Sequence, residues 1–188
     1  MKKNLTIVFG LIMILIFSMT VNAADVKWED GKYVGYKQKK RGDVVILVDI
    51  KRGKIADLDI LNRFKLNYDY KEGKKAFLEF PHMVESKQSA DVDIISGATG
   101  SSNDYKTATQ MALSIASGDY DGNKYYGVAE NYEHGHVVVE ITVKDNEITK
   151  AKFITGDPES GSSMLMPPKT EDYGHKPALK YYKNFPDK

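Results

Sequence analysis

Gly42-Asp43-Val44-Val45-Ile46-Leu47-Val48-Asp49-Ile50-Lys51 returns later in the chain as Gly135-His136-Val137-Val138-Val139-Glu140-Ile141-Thr142-Val143-Lys144. In the second copy Val137, Val139, Ile141 and Val143 alternate with Val138, Glu140, Thr142 and Lys144. A period of two in β-branched residues marks a half-buried strand. The first copy keeps the same inner face as Val44, Ile46, Val48 and Ile50. The repeat extends outward on both sides. Asp30-Gly31-Lys32-Tyr33-Val34-Gly35 returns as Asp121-Gly122-Asn123-Lys124-Tyr125-Tyr126-Gly127, with one residue inserted. Arg52-Gly53-Lys54-Ile55 matches Asp145-Asn146-Glu147-Ile148. Arg52-Gly53 and Asp145-Asn146 fall where tight hairpin turns belong, because Gly and Asn tolerate positive φ. Each copy thus predicts three antiparallel strands: an aromatic first strand, a β-branched second and a return over residues 54–61 or 147–154.

Helical signals follow each meander. Pro81 suits the first turn of a helix, where its missing N–H costs nothing, and Met83, Val84 and Lys87 continue at helical spacing. Ser101-Ser102-Asn103-Asp104 offers N-cap residues before a helix over 105–117. Tyr105, Ala108, Met111, Ala112 and Ile115 form its apolar stripe, and Gly118 is its stop. A last helix is predicted over 177–183. The fold class is therefore α+β: antiparallel β-meanders with packed helices, arranged as an internal pseudo-repeat. Residues 157–176 are rich in Ser, Gly and Pro and read as a loop. Within it, Met164-Leu165-Met166 either folds back on apolar surface or stays a mobile contact.

A chain of 188 residues suits one domain or two small units sharing a core. Its 41% hydrophobic content is too high for a disordered chain, and a formal net charge of +1 offers no broad basic surface for nucleic acid. Lys2 and Lys3 precede an apolar run over 5–19, and Val21-Asn22-Ala23 places small residues as a signal peptidase requires. This predicts a signal peptide over 1–23 and an extracytoplasmic location, whether periplasmic, cell-surface or secreted. The alternative is an uncleaved membrane anchor through residues 5–23, since a span needs about 17–25 apolar residues. The chain has no cysteine. Disulfides, lipid attached to a cysteine, thiolate metal sites and haem held by Cys-x-x-Cys-His are all excluded.

Chemistry concentrates in Ser96-Gly97-Ala98-Thr99-Gly100-Ser101-Ser102, between an extended stretch over 92–95 and the start of a helix. Small side chains let a bulky ligand approach the backbone. A helix N-terminus offers free N–H groups and a partial positive charge to a phosphate. The hydroxyls of Ser96, Thr99, Ser101 and Ser102 add donors or an attachment point. On these residues alone, anion binding and plain helix capping both stand.

Asp93-Ile94-Ile95-Ser96-Gly97-Ala98-Thr99 resembles the flavinylation motif of the FMN-binding domain family. That family includes the C-type subunit of the sodium-pumping NADH:quinone reductase and the G-type subunit of the Rnf complex. The resemblance spans about residues 29–117: Asp30-Gly31-x-Tyr33, the meander, a helix before Gln88-Ser89, the motif and the following helix. It implies FMN as cofactor, joined through its phosphate to Thr99 by a flavin transferase that draws on FAD. Asp93, Ser96, Gly97 and Ala98 would form the recognition signal. Ser101 and Ser102 would be phosphate donors, with Ser101 a lesser candidate for attachment. Residues 24–118 would be the FMN-binding domain, and 119–188 a truncated repeat lacking the motif. The implied function is an exported electron carrier serving a membrane or extracytoplasmic redox partner, and not an independent enzyme, because no substrate site is apparent. The alternatives are a module that binds FMN or another phosphate ligand without a bond, and a docking subunit of a membrane redox complex.

Other residues carry weaker readings. His134-Gly135-His136 is a solvated turn sooner than a metal pair, as no third ligand accompanies it. His82 and His175 read as surface residues. Tyr33, Tyr36, Tyr68, Tyr70, Tyr125 and Tyr126 are candidates to stack on a flavin ring, although sheet packing explains them as well. Lys37-Gln38-Lys39-Lys40-Arg41 is a basic hairpin turn or a docking site for an acidic partner.

Overall fold

Nine elements follow one another in the computed structural model, which describes residues 27–39, 43–61, 70–130, 135–156 and 165–185. The predicted signal segment, Lys40, Arg41, Tyr68, His134 and Met164 lie outside the described residues. Strands β1 (Gly31–Lys37), β2 (Val44–Lys51) and β3 (Lys54–Ile60) form one antiparallel sheet in the order β1-β2-β3. Helices α1 (Lys71–Lys87) and α2 (Thr99–Ser117) come next. Strands β4 (Lys124–Ala129), β5 (Val137–Lys144) and β6 (Glu147–Ile154) form a second sheet of the same order, and α3 (Lys176–Asn184) follows.

The repeat seen in the sequence is a repeat in space. The β2–β3 turn has positive φ at Arg52 and Gly53, and the β5–β6 turn has it at Asp145 and Asn146. The register shifts between Asp49 and Ile50 in the first sheet and between Thr142 and Val143 in the second. The aligned positions therefore share turn, bulge and pairing. A bulge bends and twists its strand, so the two sheets carry the same local distortion.

The first sheet is covered on both faces. Val44, Ile46, Val48 and Ile50 pack on one side against Ala76, Phe80 and Val84 of α1 and Tyr105, Ala108 and Ala112 of α2. On the other side Val34, Val45 and Leu47 meet Val138, Ile154 and Leu165. Strand β1 serves both layers. Its Gly35 lies so close to α2 that a Cβ there would fall 1.7 Å from the Ala108 carbonyl oxygen. Its Tyr36 ring stacks on Tyr126 of β4, with centroids 4.4 Å apart. Tyr36 donates to Asp43, and Tyr126 donates to Glu140 at 2.8 Å. Burial raises both phenol pKa values, and the carboxylate partners raise them further. Burial works against the charge of Glu140, yet Tyr126, Lys124 and Lys152 together hold it below the usual carboxylate range.

Four sequence expectations need correction. His136, read as part of a solvated turn, is fully buried, because the segment at Leu165 and Met166 pairs with it. The second copy does not bury the predicted face of β5 most deeply. Val138 and Glu140 are buried, whereas Val137, Val139, Ile141 and Val143 are half-buried. The reason lies in what covers each sheet: two helices lie on the matching face of the first sheet, while the second sheet instead turns its other face to the first sheet.

Helix α1 does not start at Pro81, which is its eleventh residue of 17. Proline inside a helix costs about 3 kcal/mol. The continuous buried stripe Gly73, Ala76, Phe80 and Val84 offsets that cost.

Helix α2 starts at Thr99, six residues before Tyr105. Its Ser101-Ser102-Asn103-Asp104 run lies in the first two turns and does not cap it.

The loop question resolves for Leu165 and Met166, which are buried. Met166 N–H donates to the His136 carbonyl at 2.8 Å, folding this segment back on the second sheet.

Candidate functional site

The candidate site is a strand–turn–helix corner over residues 90–102. Ala90, Val92 and Ile95 are buried and anchor the extended approach, while Asp91, Asp93 and Ile94 face outward. Lys106 of α2 fixes the approach from one side. Its ammonium donates to Asp91 at 2.9 Å and to the Val92 carbonyl at 3.0 Å. That bond and the Lys106 charge hold the Asp91 carboxyl below its usual pKa.

The turn is closed by Ala98 N–H donating to the Ile95 carbonyl at 2.9 Å. Gly97 at its third position has φ +80°, which only glycine adopts without strain. A side chain there would also collide with α1, since its Cβ would lie 2.7 Å from Glu72 Cγ. Tyr70, just ahead of α1, donates its hydroxyl to the Gly97 carbonyl. The turn is thus clamped between the N-terminus of one helix and the start of the next.

Ser102 explains why the helix begins early. It is fully buried, and its hydroxyl oxygen accepts the Ile95 N–H at 3.2 Å. The hydroxyl reaches back from α2 to satisfy the strand before the turn, so it stabilises the corner from inside. Ala98 occupies the N-cap and is buried, without a side-chain cap bond. The first helical bond runs from Ser102 N–H to the Ala98 carbonyl at 2.9 Å. The N–H groups of Thr99, Gly100 and Ser101 therefore lie ahead of the helical ladder. No acidic residue sits in the first turn of α2 to offset the positive end of the helix dipole.

Thr99 is exposed as the first residue of this helix, Gly100 beside it is exposed, and Ser101 is half-buried. A Cβ built on Gly100 would meet nothing within 4 Å. The corner thus offers a hydroxyl, three backbone donors and open space together, a fit for a phosphate monoester or diester. On the other flank, a shallow cavity of about 430 Å³ opens beside Asp93, walled by His82, Met83 and Lys87 of α1.

Asp93, Ser96, Gly97, Ala98, Thr99 and Ser101 thus share one corner, and Ser102 lies beneath it. The tyrosines named in the sequence divide. Tyr70 reaches the corner, Tyr33 packs on the main core, Tyr36 and Tyr126 occupy each other, and Tyr125 meets Tyr120 edge-on. Sequence reasoning missed Glu72 and Lys106. Nothing local marks either, because each acts on the corner across a gap in the chain. Among the described residues no group of three or more His, Cys, Asp or Glu residues is placed to hold a metal. No helix there is long and apolar enough to cross a membrane.

A glycine-flanked turn thus feeds an exposed threonine into a helix N-terminus that no side chain caps, with the donors a phosphate group would need. Residues 40–114 match the FMN-binding domain family. Over that span the assignment is to the FMN-binding domain, and FMN is the cofactor the domain indicates. Among solved structures, the CPE2226 protein of Clostridium perfringens is similar at 25% identity, over 47% of this chain and 88% of that one, with a TM-score of 0.40. No curated protein matches.

Proposed function

We propose that the Thr99 hydroxyl carries FMN as a phosphate ester, and that the protein is an exported carrier of electrons. The observation that carries this reading is the exposure of Thr99 at the head of α2, next to open space at Gly100. Bound flavin supplies reversible one- and two-electron chemistry. The chain's own residues do the holding. Gly97 turns the backbone sharply, Ser102 and Tyr70 brace the turn, and the N–H groups of Thr99, Gly100 and Ser101 face the phosphate charge. Asp93, Ser96 and Gly97 present the flanking surface to a flavin transferase, and the buried Ala98 supports it from beneath.

In that transfer the Thr99 oxygen would bond to the flavin-side phosphorus of FAD as the pyrophosphate P–O bond breaks, AMP would leave, and the hydroxyl proton would pass through a base of the transferase to solvent. A permanent link suits an extracytoplasmic protein, where a dissociated cofactor is lost by dilution.

The test is co-production with a flavin transferase, followed by a denaturing gel viewed under ultraviolet light. The wild-type band is expected to fluoresce, and the Thr99→Ala band to be dark at equal protein. Flavin that leaves the wild-type chain on denaturation would favour the unbonded FMN-binding module.

A further inference from the structure

A cavity on the second copy lies far in sequence from the corner over residues 90–102. It encloses about 1240 Å³ between β6, α3 and the segment around Met166. Its floor includes Ile148, Ala151 and Phe153. The register makes these the counterparts of Ile55, Leu58 and Ile60: Ala151 pairs with Ile141 as Leu58 pairs with Val48, and Phe153 pairs with Val139 as Ile60 pairs with Ile46. In the first copy those three residues are 4%, 2% and 5% exposed, within the core that α1 and α2 complete. In the second copy Ile148 is 65% exposed. The nine-residue α3 covers only part of this face, by stacking Tyr182 and Phe185 on Phe153.

The charge of the groove is one-sided. Lys150, Lys169, Lys176 and Lys180 line it, and no acidic residue is among its described lining. Its aromatic rim includes Tyr181, 78% exposed. A helix about 10–12 Å across with a 5.4 Å pitch fills about 400–600 Å³ per turn, so the groove takes two to three turns.

We propose that this groove receives an amphipathic helix of a partner protein, apolar toward Ile148 and Phe153 and acidic toward the four lysines. The partner helix would complete the second sheet as the chain's own helices complete the first. Apolar contact supplies the affinity, and the lysines select and steer an acidic partner. The assignment is independent of flavin attachment.

The test uses the full chain and a synthetic 17-residue helical peptide with leucines along one face and glutamates on its flanks. Fluorescence anisotropy is expected to give micromolar binding. The double variant Lys150→Glu/Lys180→Glu should weaken it at least tenfold, and Ala151→Trp, which fills the floor, should abolish it. A lysine-flanked version of the peptide should not bind, and Thr99→Ala should leave binding unchanged. Amide NMR shifts should centre on 148–153 and 176–182. The proposal is overturned if the acidic peptide fails to bind at millimolar concentration, if a scrambled peptide binds equally, or if the shifts map elsewhere. Self-association of the chain that Ala151→Trp abolishes would reassign the groove to a second copy.

Discussion

Gly97 is the residue on which the corner over residues 90–102 turns. Its φ of +80° and the 2.7 Å approach of Glu72 Cγ leave no place for a side chain. Gly97→Ala should therefore cost about 1–2 kcal/mol of stability, with the Glu72 side chain shifting to relieve part of the clash. Thermal or urea unfolding measures it, and flavin loading should fall in the same variant because Thr99 is displaced. A neutral Gly97→Ala with full loading would mean that the turn does not set the position of Thr99. At this scale the sequence was legible where the chemistry is contiguous. Residues 93–101 form one corner because they are neighbours in the chain. Glu72, Tyr70 and Lys106 bear on it from positions 18 or more residues back or a helical turn ahead, and spacing alone does not reveal such contacts. Ser102 read as an outward donor, whereas its hydroxyl turns inward to Ile95.

Among elements, the tightest junction is β1 against α2. The point where a Gly35 Cβ would stand is 1.7 Å from the Ala108 carbonyl oxygen, which is backbone and cannot rotate away. Gly35→Ala should cost about 3 kcal/mol, at the upper end of overpacking effects. Its unfolding midpoint should drop well below that of Gly127→Ala, the aligned glycine of β4, around which a Cβ meets nothing within 4 Å. Equal midpoints would show that the close approach is not a constraint. Strands, turns and their pairing were legible because alternation and turn residues are local signals. Helix starts were not. Pro81 pointed to a beginning, yet the buried spacing of Gly73, Ala76 and Phe80 carries α1 back to Lys71, nearly three turns earlier. The outer edge of β3 is closed by α1 in a way only the fold shows: Gln88 takes the Ile55 N–H at 2.8 Å, and Glu85 takes that of Leu58 at 3.2 Å.

For the molecule as a whole, the two copies are not used alike. The first sheet is closed by helices on one face and by the second sheet on the other; the second sheet keeps a partly open face. The pseudo-repeat was readable from sequence, but the burial pattern of the second copy was not, because identical alternation is compatible with either face inward and the decision belongs to the neighbouring layer. The stacked Tyr36–Tyr126 pair joins the copies. A double-mutant cycle with Tyr36→Leu and Tyr126→Leu should yield a coupling of about 0.5–1.5 kcal/mol in urea unfolding. Additive effects would mean that the ring pair adds no coupling beyond the apolar layer of Val34, Val45, Leu47, Val138, Ile154 and Leu165. The covalent flavin remains the central claim, and peptide mass spectrometry addresses it most directly. After maturation with a flavin transferase and trypsin digestion, the peptide over residues 88–106 should gain the mass of FMN less one water, with fragment ions placing it on Thr99. The same peptide unmodified, or modified on Ser101 instead, would contradict the account.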